Sequence, residues 1–135
     1  MNYEIIELPR IIDPRGNLSV AEQQQNIPFD IKRVYFVYDV PAGESRGGHA
    51  HKECKEFITA VSGSFTLNLE ANGEKVSLLL NKPYQGVLVN EGIWRTLDDF
   101  SSGAVVLVLA SDFFDEDDYI REYEDFLNSK FGQPL

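Results

Sequence analysis

Histidine, cysteine and positive charge are all scarce in this sequence. The chain has two histidines and one cysteine, Cys54, among its 135 residues. A single cysteine excludes an internal disulfide and a thiolate-rich metal cluster, and two histidines exclude a metal site built from three imidazoles. The chain has 12 Lys and Arg residues against 22 Asp and Glu residues, a formal net charge of -10. This negative excess argues against nucleic acid or an anionic membrane as a partner.

Long apolar runs are also missing. No stretch approaches the roughly 18 consecutive apolar residues of a membrane span. The first residues, MNYEIIELPR, lack the basic-then-apolar pattern of a secretory signal, so we expect a cytoplasmic protein. With 135 residues, 43% of them hydrophobic, the chain is long enough to bury one core. We therefore expect a single domain over residues 1–135.

Short runs of β-branched and aromatic residues dominate residues 3 to 110. The clearest runs are 32–40, 56–61, 64–69, 75–80, 86–90 and 104–110. Each has the composition and length of a β-strand. Asn72-Gly73 lies between two of these runs and predicts a tight hairpin turn. Many short strands with such turns are typical of an all-β barrel or sandwich.

The C-terminal segment has a different pattern. Residues 112–125 carry eight of the 22 acidic residues and a single Arg. Apolar and aromatic residues recur there at helical spacing: Tyr119, Ile120, Tyr123, Phe126, Leu127 and Phe131. We expect one amphipathic α-helix over roughly residues 115–130, with this stripe packed on the core rather than against a ligand.

The two histidines lie two positions apart in the segment RGGHAHKECKE, residues 46–56. Because side chains alternate along a strand, His49 and His51 would project from the same face, with Glu56 within reach of it. Two imidazoles and a carboxylate suit a metal site. They suit proton transfer as well, since histidine titrates near neutral pH. The spacing alone leaves both interpretations open.

The wider spacing around these residues resembles the first sequence motif of the cupins. The motif runs from Gly43 through His49, His51 and Glu56 to Gly63. Two glycines and three ligand-type residues match at once, which makes the resemblance specific. It implies an all-β fold, the cupin double-stranded β-helix, a jelly-roll barrel with its site inside.

The second cupin motif distinguishes metal binding from acid–base chemistry. Metal-binding cupins have a further ligating histidine there, and the matching stretch, residues 90–95, has Arg95 at that position. A guanidinium stays protonated and offers no lone pair to a metal. We therefore predict proton-transfer chemistry without a metal or another cofactor.

A narrower resemblance covers most of the chain. Five segments are similar to the family of dTDP-4-keto-6-deoxyglucose 3,4-ketoisomerases: IIDPRGNL (11–18), IKRVYFVYDVP (31–41), RGGHAHK (46–52), IWRTLDDFSS (93–102) and VLASDFFDEDDYIREYEDF (108–126). These enzymes are metal-free, homodimeric cupins that make precursors of 3-amino deoxysugars for surface polysaccharides and antibiotics. The resemblance implies an isomerase that moves the keto group of a dTDP-linked 4-keto-6-deoxy sugar from carbon 4 to carbon 3.

The resemblance also implies roles for individual residues. His49 is the expected base at carbon 3, and His51 is the expected shuttle of a proton between the two sugar oxygens. The sequence does not order these two roles, which could be exchanged. Arg46 is a candidate to hold the enolate oxygen or a phosphate.

Six further residues are candidates for binding the substrate and its nucleotide. A diphosphate needs positive charge, and thymine needs a flat surface. The candidates are Arg15, Arg33 and Arg95 for the diphosphate, Trp94 for the pocket wall, and Tyr35 and Tyr38 on one strand. Because side chains alternate along a strand, at most one of the two tyrosines faces the barrel.

Two other functions and the assembly remain to be tested. The alternatives are a metal-dependent cupin such as a small dioxygenase, and a non-catalytic cupin that binds nucleotide sugars. The family resemblance implies a homodimer, and the N-terminal strand YEIIEL is an expected edge at which a second chain would pair. Gly48 and Arg95 depart from the family pattern and leave the configuration at carbon 4 and the final sugar open.

Overall fold

The structure is a computed structural model that describes residues 1–135. Its elements, in chain order, are β1 Tyr3–Glu7, β2 Arg10–Ile11, β3 Leu18–Ser19, β4 Arg33–Val37, β5 Arg46–His51, β6 Glu56–Ser62, β7 Phe65–Ala71, β8 Glu74–Leu80, β9 Gln85–Val89, β10 Trp94–Asp98, β11 Val105–Ala110, a 3-10 helix Glu116–Asp118, β12 Tyr119–Ile120 and α1 Tyr123–Asn128. None of the helices has the length and apolar character needed to cross a membrane.

Ten of these strands form two five-stranded sheets. The first sheet has the order β1-β9-β6-β11-β4 and the second β12-β5-β10-β7-β8, while β2 and β3 form a separate two-stranded ribbon. Neighbouring strands in both sheets are antiparallel. The predicted all-β fold is confirmed, and the order of the strands is that of a jelly-roll barrel.

The core lies between the two sheets because apolar residues alternate along the strands. In β7, every second residue is buried from Phe65 to Ala71, as expected for a strand with one face inward. Thirteen buried residues from both sheets, among them Ile58 and Leu67, form the main cluster. Burial of this apolar surface is the main force that holds the sheets together.

Each sheet also has a covered outer face. On the first sheet, Ile27 and Phe29 of the segment before β4 pack against Phe57 of β6. On the second sheet, Phe126 of α1 packs against Trp94. Apolar side chains thus cover part of the outer face of each sheet, and the interior of the barrel is where polar side chains can form a site.

The predicted hairpin turn at Asn72-Gly73 is confirmed. β7 and β8 are paired from Phe65↔Leu80 to Ala71↔Glu74, so these two residues form the whole loop. Their φ angles are 51° and 81°. Two successive positive φ angles characterise the type I′ turn, which Asn-Gly favours.

The predicted C-terminal helix was too long. The structure has a 3-10 helix at Glu116–Asp118, the short strand β12, and α1 only from Tyr123 to Asn128. Tyr119 and Ile120 pair with His51 and Ala50 instead of continuing a helix. Helical periodicity holds within α1, whose Phe126 is buried, but strand pairing with β5 outweighs it in the preceding residues.

Candidate active site

A pocket of about 470 Å³ opens between the two sheets. Strands β4, β5, β6, β10 and β11 and the segment after β11 contribute its lining: Arg33, Tyr35, Arg46, Gly47, Gly48, His49, Ile58, Arg95, Leu97, Val108, Phe114, Tyr119 and Arg121. Four of these residues are arginines. A concave site of this size with convergent cationic groups suits an anionic small molecule.

The two histidines lie on β5 and share its inner face, as predicted. Ala50 between them faces outward, toward the cluster under α1. The Nε2 atoms of His49 and His51 are 3.2 Å apart. His49 lines the pocket, whereas His51 is fully buried and lies behind it. The structure therefore orders the two imidazoles, since only His49 faces the space in which a substrate would lie.

Two carboxylates flank the buried His51. Its Nδ1 lies 2.9 Å from Oδ2 of Asp118, and its Nε2 lies 3.6 Å from Oε1 of Glu56. The contact with Asp118 has hydrogen-bond length, whereas the distance to Glu56 exceeds it. Glu56 was expected near the histidines, but Asp118 was not.

Glu56 joins three elements inside the barrel. Its Oε1 accepts a hydrogen bond from Arg95 Nη1 at 2.6 Å, and its Oε2 accepts one from the Tyr35 hydroxyl at 2.6 Å. Burial alone would raise the pKa of Glu56. The charge of Arg95, the neighbouring His51 and the hydrogen bond from Tyr35 outweigh burial, so the pKa lies well below its ordinary value. Glu56 is therefore a buried carboxylate held in its charged form.

His49 is held in its neutral form. Burial, the positive charge of Arg95 and the neighbouring His51 lower the pKa of His49 from 6.5 to about 3. Burial disfavours a charged imidazole, and a nearby guanidinium disfavours it further. At neutral pH, His49 therefore presents an uncharged imidazole to the pocket, with one ring nitrogen free to accept a proton.

The arginines predicted for the nucleotide divide into three cases. Arg33 and Arg46 line the pocket. Arg95 also lines it. Its buried guanidinium, however, donates to Glu56 and to the Ile93 carbonyl, so these contacts within the barrel wall already use both of its Nη atoms. The structure does not bring Arg15 to the pocket, because its side chain is 90% exposed on the loop after β2 and paired with Asp13.

One of the two tyrosines and the single tryptophan lie outside the pocket. Tyr35 faces the pocket and Tyr38 does not, so alternation correctly allowed only one of them. The hydroxyl-bearing ring of Tyr38 is 58% exposed and stacks on Phe36. Trp94 packs beneath α1 on the outer face of the second sheet. Its predicted place in the pocket wall was wrong, because Trp94 and Arg95 are consecutive on β10 and must face opposite ways.

Comparison with known proteins identifies the family. Residues 1–131 match the family model FdtA, described as WxcM-like, C-terminal. A TDP-4-oxo-6-deoxy-alpha-D-glucose-3,4-oxoisomerase from Aneurinibacillus thermoaerophilus is 41% identical over 126 residues, which is 93% of this chain and 91% of that protein. The chain belongs to the FdtA family.

Two solved structures similar to this chain are named as 3,4-ketoisomerases. One from Helicobacter canadensis has a TM-score of 0.92 and 41% identity, covering 95% of this chain and 96% of that one. The QdtA 3,4-ketoisomerase of Thermoanaerobacterium thermosaccharolyticum, solved as a mutant with TDP-4-keto-6-deoxyglucose, has a TM-score of 0.92 and 37% identity, covering 94% and 92%. The FdtA-family fold thus extends over nearly the whole chain.

The segment after β11 supplies site residues of this FdtA-family chain that the sequence interpretation missed. The ring of Tyr119 lies 5.1 Å from His49 and 4.4 Å from His51 between ring centres, and its hydroxyl accepts a hydrogen bond from Arg33. Arg121 stacks on the same ring at 4.1 Å and lines the pocket. The sequence signal for Arg121 was that it is the one cation among the eight acidic residues of 112–125. The predicted helix led us to overlook it.

The donor atoms of this FdtA-family site do not fit a divalent metal. His49, His51 and Glu56 offer ligand atoms within 4.8 Å of one another. Both oxygens of Glu56 already accept strong hydrogen bonds, and Arg95 holds a permanent positive charge 2.6 Å from one of them. A cation would have to displace these contacts and approach a guanidinium. The chemistry of these three residues is therefore that of their own side chains.

Proposed function

We propose that this chain is a metal-independent sugar 3,4-ketoisomerase that converts dTDP-4-keto-6-deoxy-D-glucose to a dTDP-3-keto-6-deoxyhexose. Such a product serves the biosynthesis of 3-amino deoxysugars. The observation that carries the proposal is the neutral imidazole of His49 in a pocket with several arginines. The FdtA-family membership and a relative named for this reaction support it.

The first step removes the hydrogen at carbon 3. That hydrogen is acidic because it lies next to the carbon-4 carbonyl. His49 accepts the proton, the C3–H electron pair forms the C3–C4 double bond, and the carbonyl electrons move to the oxygen on carbon 4. The pocket residues need to stabilise the resulting enolate, and Arg46 is the proposed donor to it because it lines the pocket on the same strand as His49.

The remaining steps transfer the ketone to carbon 3. The proton on the carbon-3 oxygen moves to the carbon-4 oxygen, which leaves the negative charge on the carbon-3 oxygen. The carbonyl then forms at carbon 3 while His49 returns a proton to carbon 4. One proton is taken and one returned, so no oxidant, reductant or cofactor is consumed. His51, the expected shuttle for this proton, is buried behind His49 with the two Nε2 atoms 3.2 Å apart, and its proposed part in the transfer therefore goes through His49.

The nucleotide is bound by residues at the exposed part of the pocket. Arg33 and Arg121 are the proposed partners of the diphosphate, because both line the pocket and neither is buried in an ion pair inside the barrel. Phe114 also lines the pocket and is 61% exposed. Its ring is the proposed flat surface for thymine. Arg33 lies 5.6 Å from that ring and would remain next to it.

We further propose that the protein is a cytoplasmic homodimer. β1 lies at one edge of the first sheet and β4 at the other. On and next to β4, Val34, Phe36 and Tyr38 are 53%, 59% and 58% exposed. Exposed apolar side chains and open sheet edges both favour association with another protein. The partner that we propose is a second copy of this chain.

The proposed function is tested by assaying conversion of dTDP-4-keto-6-deoxyglucose after exhaustive EDTA treatment. We expect undiminished conversion by the treated protein and a loss of roughly 1,000-fold in His49→Asn, because general-base catalysis contributes about that much. Tyr38→Phe is the matched control and stays within about twofold of the parent protein.

Two outcomes would support the other functions instead. Activity that chelation abolishes, with stoichiometric iron, nickel or zinc in the purified protein, would indicate a metal-dependent cupin. Binding of the dTDP-sugar with no turnover, and with unchanged affinity in the double variant His49→Asn/His51→Asn, would indicate a non-catalytic cupin.

A further inference from the structure

Asp118 is a partly buried carboxylate that lies behind both histidines. It ends the 3-10 helix Glu116–Asp118, and its side chain is only 12% exposed. Its Oδ1 accepts the backbone N–H of Glu53 at 2.7 Å, and its Oδ2 accepts that of Cys54 at 3.3 Å. These bonds hold the carboxylate in one orientation, with Oδ2 at 2.9 Å from Nδ1 of His51.

This contact determines which nitrogen of His51 carries the proton. A carboxylate can only accept, so Nδ1 of His51 donates its hydrogen to Asp118. The Nε2 atom of a neutral His51 then has a lone pair. Oε1 of Glu56 lies 3.6 Å from that Nε2, beyond hydrogen-bond length, and is bound to Arg95 at 2.6 Å instead.

The tautomer of His51 in turn determines that of His49. Their Nε2 atoms are 3.2 Å apart, a distance at which one must donate and the other accept. Since Nε2 of His51 is the acceptor, Nε2–H of His49 is the donor. A neutral His49 then has its free lone pair on Nδ1, since the one side-chain hydrogen bond of His49 uses Nε2.

We infer that Asp118 is a positioning residue that fixes the tautomers of both imidazoles, so that Nδ1 of His49 is unprotonated and free to act as the base. The inference rests on the proposed function for its catalytic consequence, but the tautomers themselves do not depend on it. The order of contacts is Asp118 Oδ2, His51 Nδ1–H, His51 Nε2, His49 Nε2–H and His49 Nδ1.

Asp118→Asn reverses this arrangement without removing the side chain. The amide oxygen stays at the Oδ1 position, because the bond from the Glu53 N–H at 2.7 Å is shorter than the bond from the Cys54 N–H at 3.3 Å, which the variant loses. The amide NH₂ then faces Nδ1 of His51 and donates to it. His51 becomes protonated at Nε2 and donates to Nε2 of His49. His49 is left protonated at Nδ1, where the proposed base must be free.

The first test is a ¹⁵N–¹H spectrum of the histidine side chains in the free protein at pH 7. The chain has two histidines, so both ring systems can be assigned. We expect His51 protonated at Nδ1 and His49 protonated at Nε2 in the parent protein, and both reversed in Asp118→Asn. Asp117→Asn is the control, because the neighbouring Asp117 is exposed and its carboxylate makes none of these contacts; its spectrum matches the parent's. A parent protein with His51 protonated at Nε2 would overturn the inference, whether or not the variant folds.

The second test is the rate of conversion of dTDP-4-keto-6-deoxyglucose. We expect kcat to fall roughly 100-fold or more in Asp118→Asn, as for a base held in the wrong tautomer, with KM within about threefold and Asp117→Asn within twofold. If the parent protein is active and Asp118→Asn is equally active, the inference is overturned but the proposed function is not. A parent protein that converts nothing while showing the expected tautomers would instead contradict the proposed function.

Discussion

Arg95 determines what kind of site the two histidines form. It occupies the position at which the second cupin motif of metal-binding members has a ligand, and its guanidinium is 1% exposed inside the barrel. A buried guanidinium needs a buried carboxylate, and Glu56 meets that need at 2.6 Å. The pair takes Glu56, the carboxylate that shares a cluster with His49 and His51, out of metal coordination, and burial together with the positive charge of Arg95 keeps His49 neutral.

The lowered pKa of His49 predicts a pH dependence of stability. Between pH 7 and pH 5 the unfolded chain protonates this histidine near 6.5, whereas the folded chain keeps it neutral until about pH 3. The unfolded state therefore binds more protons, and the free energy of unfolding falls as the pH falls, by about 2 kcal/mol over this interval. The measurement is urea unfolding at pH 7 and pH 5.

The variant His49→Asn separates this contribution from other titrations. Glu56, Asp13 and Glu116 have lowered pKa values as well, but their ordinary values lie below pH 5, so their effects belong to more acidic solutions. We expect the stability difference between pH 7 and pH 5 to shrink by about 2 kcal/mol in His49→Asn. An equal pH dependence in both proteins would contradict a buried, neutral His49.

At the scale of secondary structure elements, the segment from Phe113 to Asn128 forms one wall of the site. Its 3-10 helix carries Asp118, and β12 pairs with β5 so that Tyr119 lies opposite His51. α1 then fixes the segment to the second sheet through Phe126, which is fully buried against Trp94. Packing of Phe126 thus helps to hold the residues that contact the histidines.

Replacing this anchor predicts a large loss of stability. Phe126→Ala leaves a cavity between α1 and the second sheet, and we expect the free energy of unfolding to fall by about 3 to 4 kcal/mol. Phe113→Ala is the matched control, since Phe113 is 71% exposed on the same segment and its removal costs less than about 0.5 kcal/mol. Equal effects in the two variants, measured by urea unfolding, would show that α1 does not anchor the segment.

The sequence predicted the strands better than it predicted this wall. Alternation placed His49 and His51 on one face and allowed only Tyr35 or Tyr38 inside, and both inferences hold. The same rule also applies to Trp94 and Arg95, which are consecutive on β10. Once Arg95 is placed inside the barrel, the rule excludes Trp94 from the pocket wall.

Residues of the wall could not be predicted in this way. Tyr119 and Ile120 fit a helical period as well as a strand, and their pairing with β5 is a contact between residues far apart in the sequence. Asp118 looked like one acid among many, because its role depends on a hydrogen bond to a histidine 67 positions earlier. Local patterns do not contain such long-range contacts.

At the scale of the whole molecule, the barrel has one apolar face that no part of the chain covers. Val34, Phe36 and Val61 are more than 40% exposed on the outer face of the first sheet, beside the portion that the segment before β4 covers. Exposed apolar surface on a sheet favours association. We therefore expect this face to be buried in the proposed homodimer.

A charge on that face should disrupt the dimer. We expect sedimentation at micromolar concentration to give a dimer for the parent protein and a monomer for Phe36→Asp, because a buried unpaired carboxylate is costly. Leu79→Asp is the matched control, since Leu79 is 61% exposed on β8 of the opposite sheet, and it stays dimeric. A monomeric parent protein would contradict the proposed assembly, and a dimeric Phe36→Asp would place the interface elsewhere.

The central claim is that His49 moves the ketone of a dTDP-sugar from carbon 4 to carbon 3 without a metal. The most direct measurement is proton NMR of the EDTA-treated protein with dTDP-4-keto-6-deoxyglucose in deuterated water. The proposed mechanism predicts a 3-keto product with deuterium at carbon 4, because the proton on His49 exchanges with the solvent, and the H4–H5 coupling constant of product made in ordinary water gives the configuration there. A substrate that stays unchanged while its signals broaden on binding would contradict the claim.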